Sequence, residues 1–350
     1  MLFQKSEEVS VLLLTPYSSH LTNNMHPAFS VVFLTTLIGV GQGLFLALFT
    51  AQSYALFDLL PKQDGQTFYA AGSLIALIFL VAGLFASFFH LGRPERAWRS
   101  ATKWRTSWLS REVIVLPAFM GTLLLYGLAH LTGWKPVLVT LPSGLAIDLT
   151  DILGALGWLL AFALFVCTAM IYACLKFLRE WHSPLTVINY ILLGGASGFT
   201  LATFFAACAA PALTGFFGGW AVIITSLGLI SRVASLLRNA RLKPKSTLQT
   251  AVGIKHPRIV QKSMGFMGGS FNTREFFHGK SPALLRSVKW SFLLGAFVAP
   301  VLLLAAGMAA ASAPLLLLAF GVQYAGLLAE RWYFFAQANH PQNLYYQSIG

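Results

Sequence analysis

The stretch that decides the fold class is residues 181–231, WHSPLTVINYILLGGASGFTLATFFAACAAPALTGFFGGWAVIITSLGLIS. Its 51 residues contain no lysine, arginine, aspartate or glutamate. A membrane-spanning helix needs about 20 predominantly apolar residues, so the stretch is too long for one span. Pro211, Gly215, Gly218 and Gly219 interrupt it near the middle. It therefore predicts two spanning helices joined by a tight turn.

Similar uncharged runs recur along the whole chain. Of the 350 residues, 57% are hydrophobic and only 10% are charged, whereas soluble domains carry about 25% charged residues. A soluble multidomain enzyme is excluded, and the runs do not alternate as the strands of a membrane barrel do. The sequence predicts an all-α integral membrane protein with eight transmembrane helices, at about 28–52, 68–90, 113–134 and 152–175, two within 181–231, and two within 290–329 that divide at 312–314.

The lysines and arginines are distributed unevenly between alternate connections. The formal net charge is +13, and all but two of the 24 basic residues fall on one side of the predicted topology. Lys62 and Lys135 are the two exceptions. Because basic residues in short connections stay on the cytoplasmic side, both termini and the basic loops are predicted to be cytoplasmic, in a bacterial inner membrane. This placement indicates membrane topology rather than a nucleic-acid partner.

The chain outside the spans is predicted to contain one extension and one long loop. Residues 1–25 are interpreted as a flexible N-terminal extension, and residues 26–350 as a single eight-helix membrane domain with a long cytoplasmic loop at about 238–289. Loops of that size are usually functional or disordered. Residues 264–278 are too aromatic for a solvated linker, so a partner protein is expected to cover them. The candidate docking residues are Arg274, Glu275, Phe276 and, at the end of the last span, Arg331.

The richest polar cluster lies between the second and third spans. His90 closes an apolar helix, Gly92 permits a sharp turn, and Arg96 and Glu112 are expected to meet across the loop. An imidazole and a carboxylate at the edge of an apolar slot are typical of a quinone site, because quinol hydroxyls need groups that also accept protons. Arg93 belongs to the same candidate site. The alternative is that the arginines and tryptophans here only anchor helix ends at the headgroups.

Two other polar positions within or beside the spans are candidates. Gln42 lies among glycines in GVGQG, residues 39–43, where it serves either helix packing or contact with a ligand. Glu330 and Arg331 close the last helix, and an internal ion pair is the simpler explanation for them.

The histidines and cysteines predict no metal centre. All eight histidines fall in tails, loops or helix ends, whereas a membrane haem usually takes two histidines from facing helices, so no haem is expected. Cys167, Cys174 and Cys208 lack the spacing of a zinc or iron–sulfur site. They are interpreted as small buried apolar residues.

These motifs resemble the DmsC family, the membrane anchors of dimethyl sulfoxide reductase-type molybdoenzymes. The resemblance rests on MHPAFS at 25–30, on HLG at 90–92 with Pro94, Arg96 and Glu112, and on AERWYFF and HPQNLYY at 329–335 and 340–346. It implies eight spans without haem and a quinone, ubiquinone or menaquinone, bound beside an iron–sulfur subunit. Molybdopterin and the iron–sulfur clusters would belong to the partners. The resemblance also implies that His90, Gly92, Arg96 and Glu112 form the quinone site.

The basic side of the chain indicates a particular branch of that family. Anchors whose catalytic partners lie outside the cytoplasm have less basic connections, so this chain looks more like the SoeC-like anchors of cytoplasmic, quinone-reducing sulfite dehydrogenases. The chain is then not catalytic alone but is the quinone-reactive subunit of an oxidoreductase complex. Three alternatives remain open: a menaquinol-oxidising anchor of a dimethyl sulfoxide reductase-like complex, a secondary transporter, and a structural tether without a quinone of its own.

Overall fold

The computed structural model describes residues 29–91, 93–142, 144–243, 247–260 and 281–338. Eight helices in this part of the chain are long and apolar enough to cross a membrane, which confirms the eight predicted spans. They are α1 (Phe29–Leu56), α2 (Gly65–His90), α3 (Trp108–Thr132), α4 (Leu149–Ala173), α5 (Pro184–Ala209), α6 (Pro211–Ala240), α7 (Pro282–Ala309) and α8 (Ala313–Ala336). The predicted N-terminal extension, Gly92 and the docking residues Arg274, Glu275 and Phe276 lie outside the described residues.

Short helices and irregular turns complete the helical part. A 3-10 helix, Pro94–Lys103, follows α2, and a five-residue helix, Leu248–Val252, lies in the connection between α6 and α7. The first turns of α2, Gly65–Ala70, and an internal segment of α7, Leu294–Val298, are π-helical. We call the end that contains the α2–α3, α4–α5 and α6–α7 connections the basic end, and the other the far end.

The prediction of an all-α membrane protein is confirmed for the spans, and one connection adds a short hairpin to the helices. The α3–α4 connection forms an antiparallel hairpin of β1 (Val137–Thr140) and β2 (Ala146–Asp148). Its β-branched residues favour strands, and Gly144 supplies the positive backbone φ of +83° that the turn requires. Two strands of four and three residues are too short to be distinguished from a loop by periodicity.

Hydroxyl and carboxylate side chains define where several helices start. Ser107 Oγ accepts the backbone N–H of Ser110 at the start of α3, and Ser183 Oγ accepts that of Leu185 at the start of α5. Asp148 and the third residue of α4, Asp151, cap that helix reciprocally. Each cap satisfies backbone groups that a helix end leaves unpaired. The polar loops therefore lie at the two ends of the bundle.

Helix α1 occupies the centre of the bundle and packs against α5 backbone to backbone. A Cβ atom on Gly43 would overlap the carbonyl of Gly194, and one on Gly198 would overlap the carbonyl carbon of Gly43. Small residues at a helix interface allow this close approach in membranes. On other faces of α1, the side chains of Leu44, Phe45 and Leu48 are fully buried. The position of α1 determines which polar groups meet at the basic end.

Substituting Gly43 with alanine is expected to push α1 away from α5. We expect Gly43→Ala to destabilise the protein by about 1–3 kcal/mol, the usual cost of forcing extra carbon atoms into a close-packed interface. Gly121→Ala in α3 is the matched control, because nothing lies within 4 Å of the Cβ that it adds. Thermal unfolding of the purified complex measures both. Equal melting temperatures for the two variants would contradict this account of the interface.

Candidate functional site

Glu112 is a buried carboxylate one turn inside α3. The Ser107 cap starts the helix at Trp108, which places Glu112 on the face toward the other helices, where only 8% of it is exposed. Thr168 Oγ1 donates a hydrogen bond to Glu112 Oε1 over 2.5 Å. No ion pair to Glu112 is formed within the described ranges. An ionisable group buried among spanning helices is costly and usually functional.

Glu112 lines a narrow cleft that five helices form near the basic end. Its volume is about 20 Å³, roughly the space that one buried water needs. Residues from α1, α3, α4, α5 and α8 contribute both polar and apolar groups. The lining residues are Leu34, Thr35, Thr36, Ile38, Gly39, Gln42, Glu112, Phe165, Thr168, Tyr190, Leu193, Gly194, Ser197, Leu327 and Arg331. We call this the Glu112 cleft.

Gln42 serves the packing role that its sequence context offers, and its contact with a ligand stays a prediction. Its side chain is almost fully buried, and its Nε2 donates to the carbonyl oxygen of Ala161 over 2.9 Å, which ties α1 to α4. The same residue lines the Glu112 cleft. An amide fixed by one hydrogen bond leaves its other atoms available to a water or a ligand.

Arg331 also faces the cleft and is held by a buried ion-pair triad. Its Nε lies 3.2 Å from Glu330 Oε2, and Glu330 Oε1 lies 2.7 Å from Arg232 Nε. The guanidinium lies 3.9 Å from the centre of the Tyr190 ring, a cation–π distance. The internal Glu330–Arg331 pair is therefore confirmed. With two cations and one anion, the triad places one net positive charge in the protein interior.

The location of Arg331 corrects its predicted role as a surface docking residue. Only 4% of the residue is exposed, because the last turns of α8 lie between α1, α5 and α7 rather than on the outside. Within the described part of the chain, other helices of the bundle cover this side chain. The guanidinium is available to the Glu112 cleft instead.

His90, Arg93 and Arg96 lie apart from this cleft. All three are exposed at the end of α2 and the start of the 3-10 helix, and none of them lines the cleft. Arg96 Nε pairs with Glu95 Oε1 at 3.9 Å. The expected meeting of Arg96 and Glu112 is not formed, because the 3-10 helix keeps Arg96 outside while α3 turns Glu112 inward. Both groups nevertheless belong to the basic end of the bundle.

The arginines and tryptophans around the 3-10 helix form three stacks, of which two are exposed and that of Arg111 and Trp108 is half-buried. Arg99 lies over Trp98, Arg105 over Trp104 and Arg111 over Trp108, with distances to the ring centres of 5.6, 5.4 and 4.2 Å. Stacked aromatic and cationic side chains at a helix end suit the headgroup region of a membrane. This geometry supports the anchoring explanation for the tryptophans.

Several features of this region were not predicted from the sequence. Arg232, placed by its sequence position at the end of the sixth span, is fully buried, because α6 continues to Ala240. The helical pattern of the sequence continues on both sides of Arg232, and this signal could have predicted that the residue lies within α6.

Cys167 is buried as predicted, but Cys174 and Cys208 are exposed at helix ends, so the interpretation of all three cysteines as buried residues is wrong.

Comparison with known proteins gives two matches. The description of the matching family is DMSO reductase anchor subunit (DmsC), and the match covers residues 22–346. The chain is also 59% identical over 325 residues to a sulfite dehydrogenase subunit of Allochromatium vinosum, a match that covers 93% of this chain and 100% of that protein. The family match includes every spanning helix and the residues of the Glu112 cleft.

Proposed function

Since the chain belongs to the DMSO reductase anchor subunit (DmsC) family and is a membrane-anchor subunit of a molybdoenzyme complex, we propose that it passes electrons between an iron–sulfur partner and the quinone pool. The basic end faces the cytoplasm and the partner subunits, by the bias of the basic residues. The complex lies in a bacterial inner membrane. The chain contributes the quinone-reactive site and no substrate chemistry of its own.

The substrate of the catalytic partner in this proposal is sulfite. The relative from Allochromatium vinosum is named as a sulfite dehydrogenase subunit, and a cytoplasmic basic end suits a catalytic partner that is not exported. Sulfite oxidation on a molybdopterin subunit would deliver two electrons through iron–sulfur clusters. The second candidate is a menaquinol-oxidising anchor that supplies electrons to a dimethyl sulfoxide reductase-like partner.

The observation that carries the quinone proposal is the meeting of Glu112, Gln42 and Arg331 in one buried cleft. A quinone takes up two electrons and two protons on reduction. The Glu112 carboxyl is placed to hold and transfer a proton, with Thr168 as its hydrogen-bond donor. The Arg331 guanidinium supplies positive charge for an oxygen that becomes negative. Gln42 orients a water or ligand oxygen between them.

The size of the cleft determines where the quinone ring lies in this proposal. A volume of about 20 Å³ holds a water molecule but not a ring. We therefore place the ring at the mouth of the cleft, at the basic end, and assign proton transfer to Glu112 through one water. His90, Gly92, Arg93 and Arg96 are the candidates that contact the ring from the connection after α2.

The partner-docking surface in this proposal is the long α6–α7 connection with Arg274, Glu275 and Phe276. Aromatic and charged residues in a connection of this length suit an iron–sulfur subunit that covers them. A secondary transporter, the alternative from another class, usually places its ionisable groups near the midplane. The buried Glu112, Glu330 and Arg331 lie instead within the terminal turns of their helices.

Replacing His90 with alanine tests the proposal. His90 is exposed at a helix end, so the complex should assemble normally, but it should lose most of its quinone turnover. The measurement is quinone reduction by the purified complex with sulfite as donor, beside the iron–sulfur absorbance that reports assembly. Lys103→Ala, at another exposed position of the same region, is the control.

The possible outcomes distinguish the role of His90 from the proposed function of the whole chain. Normal turnover in the His90 variant would remove His90 from the site while the proposed function stands. A wild-type chain that isolates without iron–sulfur subunits and moves a solute would overturn the function in favour of transport. An assembled wild-type complex that exchanges no electrons with quinone would leave only the structural tether.

A further inference from the structure

A second polar cavity lies at the far end of the bundle, away from the Glu112 cleft. It is half open and has a volume of about 250 Å³, more than ten times that of the cleft. The ends of α1 and α3, the starts of α2 and α4, and the α1–α2 and α3–α4 connections surround it. Its lining residues are Gln52, Ala55, Leu56, Lys62, Gln63, Tyr69, His130, Lys135, Ala146, Asp148, Thr150 and Asp151. Because all of them lie at or near helix ends, the cavity is at the depth of lipid headgroups.

A chain of hydrogen bonds fixes the orientation of the groups at the base of this cavity. Gln52 Nε2 donates to Thr150 Oγ1 and to Asp151 Oδ1, over 2.9 and 2.8 Å. An ionised carboxylate only accepts, so the nitrogen of the Gln52 amide must face Asp151. Gln52 Oε1 is then left to accept, and it receives the hydroxyl of Tyr126.

The same chain determines which nitrogen of His130 carries the proton. His130 Nε2 lies 3.4 Å from Gln52 Oε1, which can only accept, so Nε2 is the protonated nitrogen. In a neutral ring the other nitrogen, Nδ1, is then an acceptor. The rings of Tyr69 and Tyr126 lie against the imidazole, with centres 4.7 and 4.6 Å away, and hold it in place.

His130 Nδ1 is an acceptor that lacks a partner among the described residues. The residue is 2% exposed, and Nδ1 is buried without a hydrogen bond. A buried acceptor left unpaired costs about 1–3 kcal/mol. The ammonium of Lys135 lies nearby, since a Cβ atom on Gly65 would be 2.8 Å from Lys135 Nζ and 3.2 Å from His130 Nδ1. Nδ1 itself has almost no accessible surface, so it lies just behind the wall of the cavity, and the Lys135 cation lies beside it.

We propose that this cavity binds the phosphoethanolamine headgroup of a membrane lipid. A primary ammonium donates up to three hydrogen bonds, which suits the Asp151 carboxylate and, once the exposed Lys135 side chain turns away toward the phosphate, His130 Nδ1 as well. The phosphate, two carbons away, suits the exposed ammonium groups of Lys62 and Lys135 at the mouth. A choline headgroup has no N–H to donate, and a glycerol headgroup has no positive charge for Asp151. The arrangement therefore discriminates among lipids of similar size.

Two apolar grooves beside the cavity supply surfaces for the acyl chains. One, of about 270 Å³ between α3 and α4, is lined by Ala129, Trp134 and Leu149, each adjacent in sequence to a residue of the cavity. The other, of about 310 Å³ between α2 and α3, is lined mainly by leucines. A headgroup in a polar cavity with apolar grooves at its sides is the arrangement that a bound phospholipid needs.

Lipid retention by the purified complex tests the proposal. The complex is placed in nanodiscs that contain phosphatidylglycerol with either phosphatidylethanolamine or phosphatidylcholine, and bound lipids are counted by native mass spectrometry after delipidation. We expect one retained phosphatidylethanolamine, no retained phosphatidylcholine, and a higher melting temperature with the former lipid. Lys135→Ala should lower the retention at least tenfold, and His130→Phe should remove the discrimination between the two lipids.

A matched control and a soluble probe define the outcomes that would overturn the proposal. Lys176→Ala replaces a lysine of the basic end, outside the cavity, and should retain the lipid as the wild type does. Equal retention of both lipids by the wild type, or full retention by Lys135→Ala, would overturn it. So would binding of soluble phosphoethanolamine without any preference between the lipids. Lys135 is exposed, so its variant remains informative even where His130→Phe fails to fold.

Discussion

Replacing Glu112 with glutamine is expected to reduce quinone turnover by roughly 10²-fold or more in a complex that still assembles. General acid–base groups typically contribute 10²–10⁴-fold to a rate, and glutamine keeps the shape of the side chain while it removes the exchangeable proton. Thr168 can still hydrogen-bond the amide oxygen, so the packing of α3 against α4 is preserved. The measurement is the kcat for quinone reduction, with assembly followed by iron–sulfur absorbance.

A second carboxylate in the same region provides the control for Glu112. Glu95 lies on the exposed surface of the 3-10 helix, where it pairs with Arg96. Glu95→Gln makes the same substitution at an exposed carboxylate and should change turnover less than twofold. If the two variants lose activity equally, the effect is one of surface charge at the basic end. If Glu112→Gln retains full activity, the buried carboxyl does not transfer protons to quinone.

Replacing Glu330 with glutamine is expected to produce the largest loss of stability among single substitutions in the bundle. The change leaves the buried cations Arg232 and Arg331 beside each other without their shared anion. Removing one partner of a buried ion pair costs about 3–5 kcal/mol, because the remaining charge is not compensated. The amount of chain in the membrane and the melting temperature of the purified complex measure the effect.

The opposite substitution, Arg232→Met, separates charge balance from simple loss of contact. It removes the closest ion pair of the triad, 2.7 Å long, yet leaves Glu330 and Arg331 as a neutral pair. We therefore expect a smaller destabilisation than in Glu330→Gln, with an apolar side chain in place of a buried cation. A loss of stability as large as that of Glu330→Gln would show that the contacts matter more than the balance of charge.

The candidate site could be predicted only in part. Glu112 was predicted from its polar cluster and from the family resemblance, and Gln42 from its position among glycines in an apolar run. The structure brings both to one cleft. His90 and Arg96 were grouped with Glu112 because they are close in sequence, but the 3-10 helix Pro94–Lys103 separates them from it. Proximity along a loop does not determine the direction of side chains once a new helix begins.

Arg331 and Arg232 illustrate what sequence patterns do not contain. Both looked like basic residues of helix ends, yet both are buried around Glu330. Their burial depends on the length of α6, on the rotation of α8 and on the packing of α7 beside them. None of these three properties produces a periodic pattern or a motif in the sequence of a single helix, so the sequence does not predict them.

The far-end cavity depends on tertiary structure in the same way. Gln52, His130 and Asp151 come from the ends of three helices, and each has an ordinary explanation when considered alone. The unpaired acceptor follows only from the order of hydrogen bonds among them. A polar network of this kind is defined by the geometry of its members rather than by their spacing along the chain.

By itself, the sequence determined the number of spanning helices and the separation of a basic end from a far end. Both follow from properties summed over about 20 residues, namely the cost of placing charges in hydrocarbon and the charge of whole connections. The tertiary structure alone decided that Glu112, Gln42 and Arg331 share one cleft and that His90 does not line it. The physical reason is that a contact between distant residues depends on how each helix is rotated and how closely glycines such as Gly43 let the helices approach.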